Sequence, residues 1–320
     1  MKRILSGILA GLLVLSGCSA PQAKTEHALS IVVTIFPEYD WVNAILGDNP
    51  GGVEVTILTE NGADLHSYQP TAKDMVTIAD SDLFVYVGGE SDRWVADALK
   101  ESNNPKQTVI ALLEVLGDAV KEEEAVEGME AEAEEAEEEE VPEYDEHVWL
   151  SLRNAKVLVE ALCGAIAAAD PDHAETYRAN TDAYLAQLDE LDGQYQETRD
   201  TAVYDTLIFG DRFPFRYLVD DYQLNYYAAF KGCSAETEAS FETILFLAGK
   251  MDELGLPHIL KIEGSDGKIA ATILKNTAAS GQDILTLNSM QGITSADIRN
   301  GASYLQIMKD NLEVLKQALH

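Results

Sequence analysis

With 56 acidic residues against 22 basic ones in a chain of 320, the formal net charge is -34, the reverse of what a phosphate backbone attracts, and nucleic-acid binding is excluded. Apolar residues make up 46% and mean hydropathy is -0.10, the balance of a soluble protein long enough for two ordinary domains, each with its own core. The charge is unevenly spread: residues 121–146 hold 15 acids and a single Lys121, and so carry -14 of the total.

At the start of the chain, Lys2 and Arg3 precede the apolar run ILSGILAGLLVLSG, too short for a comfortable membrane span and of signal-peptide length. The run ends in Leu15-Ser16-Gly17-Cys18, which resembles the bacterial lipobox. That resemblance implies a signal peptide over 1–17 and a lipidated Cys18 as mature N-terminus, held at the outer face of the cytoplasmic membrane by its acyl chains; the alternative is a signal peptide with an incidental cysteine. Residues 18–28 read as a flexible tether, with His27 exposed in it. Of the remaining cysteines, Cys163 and Cys233, export permits a disulfide, but they fall in different halves and are equally expected as separate thiols.

Short β-branched runs then alternate with helical spacing. SIVVTIF (30–36), VEVTIL (53–58), DLFVYVG (82–88) and TVIAL (108–112) read as buried parallel strands. A second series follows in TLIFG (206–210), LNYYAAF (224–230), HILKIE (258–263) and DILTL (283–287), with helical patterns such as 242–255 between them. Between the two series, residues 170–200 repeat apolar positions at Tyr177, Tyr184, Leu188, Leu191 and Tyr195, a helix of roughly 45 Å. The expected architecture is α/β: an N-terminal lobe over 29–169, one long linking helix over 170–200 and a C-terminal lobe over 201–320, each lobe built on a parallel sheet.

The acidic stretch 121–146 has no aromatic residue before Tyr144 and few branched aliphatics. It is expected to be a mobile, solvated loop that collects cations weakly through hard carboxylate oxygens. It lacks the spaced Asp/Asn and Gly pattern of an EF-hand.

The histidines divide by position. His66 follows the second expected strand and His147 the fourth, in the loops beyond strand ends where open α/β sheets bind ligands. His173 reads as a surface residue, His258 as a core or edge residue of a strand, and His320 ends the chain. In the second half the corresponding places hold Asp211, after TLIFG, and Glu263, at the end of HILKIE. Two imidazoles from one lobe and two carboxylates from the other would make a four-group metal site in the interlobe cleft.

The segments HSYQPTAKDMVTIADSDLFVYVGG, DEHVWLSLRNAKVL, FGDRFPFRYLVDDYQL and IEGSDGKIAATI occur in this order over nearly the whole chain. As an ordered set they resemble the metal-binding lipoproteins of bacterial zinc and manganese ABC importers, the cluster A-I solute-binding proteins. The resemblance implies that His66 and His147 are metal ligands and points to Glu263 as a further one. It also implies a mobile His- and acid-rich insertion just before the second ligand. Here that insertion is acidic and has no histidine before His147, so its own sites are expected to be weaker and less selective for zinc. One position departs: where the family has a third His, or a Glu in manganese binders, this chain has Gly210 followed by Asp211. Asp211 is expected to take the role, reached through a backbone turn at Gly210; a water, a loop residue, a helix-capping role or pairing of Asp211 with Arg212 or Arg216 are the alternatives.

The resemblance thus implies a non-enzymatic, extracytoplasmic, lipid-anchored monomer that captures Zn(II) and delivers it to an ABC permease. Two nitrogens and two oxygens suit Zn(II) and also Mn(II), so a manganese-specific protein is the nearest alternative. A zinc-dependent hydrolase is disfavoured by the absence of a His-Glu-x-x-His motif and of an obvious helix-borne general base; hydrolysis would also need an open coordination position with an activated water. An adhesin-like lipoprotein of the same fold is the third reading.

Overall fold

The computed structural model describes residues 28–59, 62–130, 143–234 and 238–320. The expected signal peptide, Cys18 and the tether through His27 lie outside the described residues. All eight expected strands are present. In the N-terminal lobe they are β1 (Ser30–Val33), β2 (Glu54–Ile57), β3 (Leu83–Tyr86) and β4 (Thr108–Ala111), interleaved with α1 (Phe36–Leu46), α2 (Ala72–Asp80), α3 (Val95–Lys100) and α4 (Leu112–Leu116). Two long helices follow, α5 (Leu152–Ala169) and α6 (Ala174–Thr201). The C-terminal lobe carries β5 (Thr206–Phe213), α7 (Arg216–Asp221), β6 (Asn225–Lys231), α8 (Phe241–Leu254), β7 (His258–Ile262), α9 (Lys268–Lys275), β8 (Asp283–Leu287), α10 (Ser295–Arg299) and α11 (Tyr304–Leu319). Both sheets are parallel, with strand orders β2-β1-β3-β4 and β6-β5-β7-β8.

The same local chemistry builds both lobes. β1 and β3 lie in the middle of their sheet with both faces covered, and they are almost wholly apolar and buried. Helices begin where a hydroxyl can accept from a free backbone N–H: Thr71 opens α2, Ser151 opens α5 and Ser240 opens α8. Gly255, at φ +64°, closes α8 in the left-handed conformation that favours glycine.

The 28-residue α6 spans about 42 Å and buries the stripe Tyr177, Tyr184, Leu188, Leu191 and Tyr195. Its partners are α1 and α5 from one lobe and α11 from the other, and the Tyr195 hydroxyl donates to the Met308 carbonyl at 2.6 Å. The largest apolar cluster therefore runs without a break from Ile31 in β1 to Leu319 in α11. Two further bonds tie the lobes beside the cleft: the Trp149 indole N–H donates to the Ser289 carbonyl at 2.9 Å, and the Tyr304 hydroxyl to the Trp149 carbonyl at 2.6 Å. A large apolar interface of this kind resists relative lobe motion.

The acidic segment differs from its expectation at both ends, while 131–142 lie outside the described residues. Glu122 bridges to Tyr144, Lys121 pairs with Asp220 and Glu124 with Arg216. Glu130 accepts from the Ser240 N–H at 2.8 Å and from the Thr243 hydroxyl at 2.9 Å, and Val126 and Met129 pack on the core. The carboxylates find donors on the C-terminal lobe, and the two apolar side chains supply the burial that composition alone did not suggest.

A buried acid makes folding pH-dependent. Glu38, at the first turn of α1, is fully buried and accepts from the backbone N–H of Thr34 at 2.8 Å and of Ile35 at 3.2 Å. Burial outweighs these bonds and pushes its carboxyl from 4.5 up to about 8. The folded chain therefore keeps a proton that the unfolded chain releases. Its stabilising contribution is complete below the unfolded value and is lost as pH rises through about 8. Glu38→Gln keeps an acceptor for both amides and is expected to raise the melting temperature by several degrees at about pH 9 while changing little at about pH 5. Thermal melts at the two pH values check this; equal shifts at both would show that Glu38 is not held protonated.

Candidate metal centre

His66 sits in a one-turn 3-10 helix, Leu65–Ser67, after β2. Asp64 caps that turn by accepting from the His66 N–H at 3.0 Å. His147 ends the acidic segment and begins a second such turn, Val148–Leu150. The two rings meet: Nε2 of His66 lies 3.1 Å from Nε2 of His147. His147 is fully buried and the His66 side chain is 12% exposed.

Each ring is held by its other nitrogen. Asp145 Oδ1 accepts from the His147 backbone N–H and lies 2.8 Å from His147 Nδ1. His66 Nδ1 lies 2.8 Å from Ser91 Oγ and 3.3 Å from Glu146 Oε2. Burial alone would raise the Glu146 carboxyl; hydrogen bonds from His66, the Ser91 hydroxyl and the Ser91 N–H, the last at 2.7 Å, outweigh it and hold the acid below the usual carboxylate range. The Asp145 carboxylate favours the tautomer of His147 with its proton on Nδ1, which turns the lone pair of its Nε2 toward His66. Around a tetrahedral zinc with Zn–N of about 2.0–2.1 Å, two nitrogens stand roughly 3.3–3.4 Å apart, so the pair fits zinc with little movement.

The two acids that precede His147 thus have separate tasks. Asp145 orients His147 and Glu146 orients His66, the usual arrangement of a metal-binding imidazole with its remote N–H on a carboxylate. Sequence reading treated both as part of a cation-collecting run. Only folding, which brings Ser91 and His66 alongside Glu146, separates them from it.

Asp211 and Glu263 line the same cleft, a cavity of about 1040 Å³ that His66 and Asp64 also line. Neither is in the tight group of donors. Glu263 accepts from the Ser289 N–H at 2.6 Å, from the Ser289 hydroxyl at 2.7 Å and from the Gln291 N–H at 3.2 Å. Asp211 accepts from the Arg212 N–H at 2.9 Å and the Ile262 N–H at 3.4 Å. It lies at a register shift of β5 against β6, between Phe209 and Arg212. The flanking arginines turn elsewhere: Arg212 pairs with Asp64 at 2.8 Å across the cleft, and Arg216 with Glu124.

Gly210 is not a turn. It is absent from the positive-φ glycines, and a Cβ there would lie 2.5 Å from Ala270 Cα and 2.7 Å from Ala270 Cβ. The glycine is required by the close approach of β5 to α9, and a side chain at 210 would meet that helix.

Among the described residues, one group of three places metal-binding atoms within 4.8 Å of one another: His66, His147 and Cys233. Cys163 and Cys233 are both free, the first buried and the second half-buried. Burial pushes the Cys233 thiol well up, and Glu123, Asp145 and Glu146 add to the effect. Cys233 follows β6, the same kind of place beyond a strand end that singled out His66 and His147. That position is legible in the sequence, whereas a free thiol there is equally consistent with packing.

A cleft between two parallel-sheet lobes, with donors converging from loops at the carboxyl ends of strands, defines a two-lobed solute-binding protein. The family described as ZnuA, zinc-uptake complex component A, periplasmic, matches residues 31–318, and this chain belongs to it. It is 30% identical to the high-affinity zinc uptake system protein ZnuA of Bacillus subtilis, over 98% of this chain and 96% of that one. It is 28% identical to the zinc-binding protein AdcA of Streptococcus pyogenes over 93% of this chain, but spans only 57% of that longer protein. The Zn(II)-bound ZnuA-like domain of Streptococcus pneumoniae AdcA superposes with a TM-score of 0.70 at 28% identity, covering 92% of this chain and 99% of that domain.

Proposed function

We propose that this protein captures zinc outside the cytoplasmic membrane and passes it to an ABC permease, tethered by acyl chains on Cys18. Membership of the zinc-uptake family supports the cargo. The observation that carries the reading is the pair of facing Nε2 atoms, each ring held by a carboxylate or hydroxyl on its far side. His66 and His147 bind the ion. Glu263 is the carboxylate donor from the opposite wall, held ready by Ser289. Asp211 or Cys233 completes the set. Zinc is favoured over manganese because two imidazoles suit zinc, whereas manganese prefers oxygen. No reaction follows from such a site.

Competition titration of the full chain with a chromogenic chelator tests the cargo: one tightly bound zinc is expected, with manganese displaced by it. Tighter binding of manganese would overturn the choice of metal. Deletion of the gene is expected to slow growth only in zinc-depleted medium, and growth independent of zinc supply would refute a role in uptake.

The insertion has a separate expectation. Deleting residues 131–142 removes seven carboxylates but none of the residues that hold His66, His147 or Cys233. The tight site is expected to be unchanged, while weak binding that salt screens over about 8 Å is lost. Calorimetric titration at low and high salt distinguishes the two classes, and loss of the tight site would place a metal ligand within the deleted stretch.

A further inference from the structure

We propose that the Cys233 thiolate, rather than the Asp211 carboxylate, is the third zinc ligand, which makes the centre a nitrogen–sulfur site selective for thiophilic divalent cations. This rests on the zinc-capture reading above.

Three observations carry it. The Cys233 Sγ lies within 4.8 Å of a metal-binding nitrogen of each imidazole. Zinc with Zn–N near 2.0–2.1 Å and Zn–S near 2.3 Å spans an N···S distance of about 3.5 Å, so a contraction of about an ångström completes three corners of a tetrahedron. The backbone at this point is fixed against the ring. Gly232 has no Cβ, and one built there would stand 3.1 Å from His147 Cε1 and 2.9 Å from the Phe213 carbonyl oxygen. Only glycine lets the chain run this close to the imidazole, and the next side chain is Cys233. The Cys233 N–H in turn donates to Glu123 Oε1 at 2.9 Å, which anchors the loop to the ordered start of the acidic segment. Asp211, by contrast, spends its oxygens on the Arg212 and Ile262 backbone amides and lies outside the donor group.

Coordination exchanges one bond for another: the S–H bond breaks, the proton leaves to solvent, and the sulfur lone pair bonds the metal. A soft thiolate favours zinc over manganese more strongly than a carboxylate would.

The test uses the full chain with Cys18→Ser, so that Cys163 and Cys233 are the only thiols. Cobalt(II) loading is expected to give a near-ultraviolet thiolate-to-metal charge-transfer band, absent in Cys233→Ser and retained in Cys163→Ser. Zinc is expected to protect Cys233 from iodoacetamide, read by peptide mass, without changing the reactivity of Cys163. Cys233→Ser is expected to lose at least about 10-fold in zinc affinity and to discriminate less against manganese. If one zinc binds tightly, yet Cys233 alkylates equally with and without it and cobalt gives no such band, the thiolate assignment is overturned while zinc capture stands. If the protein takes up no zinc and His66→Ala changes nothing, the zinc reading itself fails.

Discussion

His66→Ala and His147→Ala are each expected to weaken zinc binding by more than about 100-fold, since loss of a mere partner of a metal-binding imidazole already costs about 10–100-fold. Each variant removes one of the two facing Nε2 atoms, and the other ring cannot replace it. The variants should differ in stability. His147 is fully buried against Asp145, so its removal leaves a buried carboxylate without its partner at a cost of about 1–3 kcal/mol. Removing His66 also takes a partner from the buried Glu146, but the Ser91 N–H at 2.7 Å remains, so its loss of stability should be the smaller of the two. Chelator competition, run beside thermal melts of the metal-free proteins, separates the effects. Parental affinity in both variants would remove the proposed centre.

The second large effect comes from a residue that never touches the ion. Asp145→Ala is expected to lower zinc affinity about 10–100-fold with His66 and His147 both in place. Asp145 is buried, accepts from the His147 N–H and lies 2.8 Å from its Nδ1. Without it neither the tautomer nor the ring plane is specified. Asp145→Asn keeps one acceptor oxygen and should recover part of the loss. That graded order, Asp then Asn then Ala, is the signature of positioning through His147. An unchanged affinity in Asp145→Ala would mean that the Gly232 backbone alone holds the ring.

Little in the centre can be altered independently. Tyr217 donates to the Asp145 carbonyl at 2.8 Å, Trp149 reaches Ser289, and Ser289 holds Glu263. A chain of hydrogen bonds therefore runs from the His147 loop to the carboxylate on the opposite wall. With the lobes sharing one apolar core, wide lobe opening is disfavoured.

The amino-acid sequence by itself determined the eight strands through their short β-branched runs, although the edge strands β2, β4 and β8 are less buried than expected. It also determined the long helix, through the spacing of Tyr177, Tyr184, Leu188, Leu191 and Tyr195, and the placing of His66 and His147 beyond strand ends, because that is a local feature. What only the tertiary structure decided depends on distances between segments far apart in sequence. His66 and His147 are 81 residues apart and meet at 3.1 Å; strand-end position groups them in one cleft, but the contact itself is a product of the fold. Asp145 and Glu146 looked like two more charges in an acidic run until Ser91 and His66 came to lie beside them. Gly210 suggested a flexible turn, but the constraint is the α9 backbone, 60 residues on in the sequence. Cys233 shares the strand-end position of the two histidines, but its proximity to both imidazoles exists only in the folded chain.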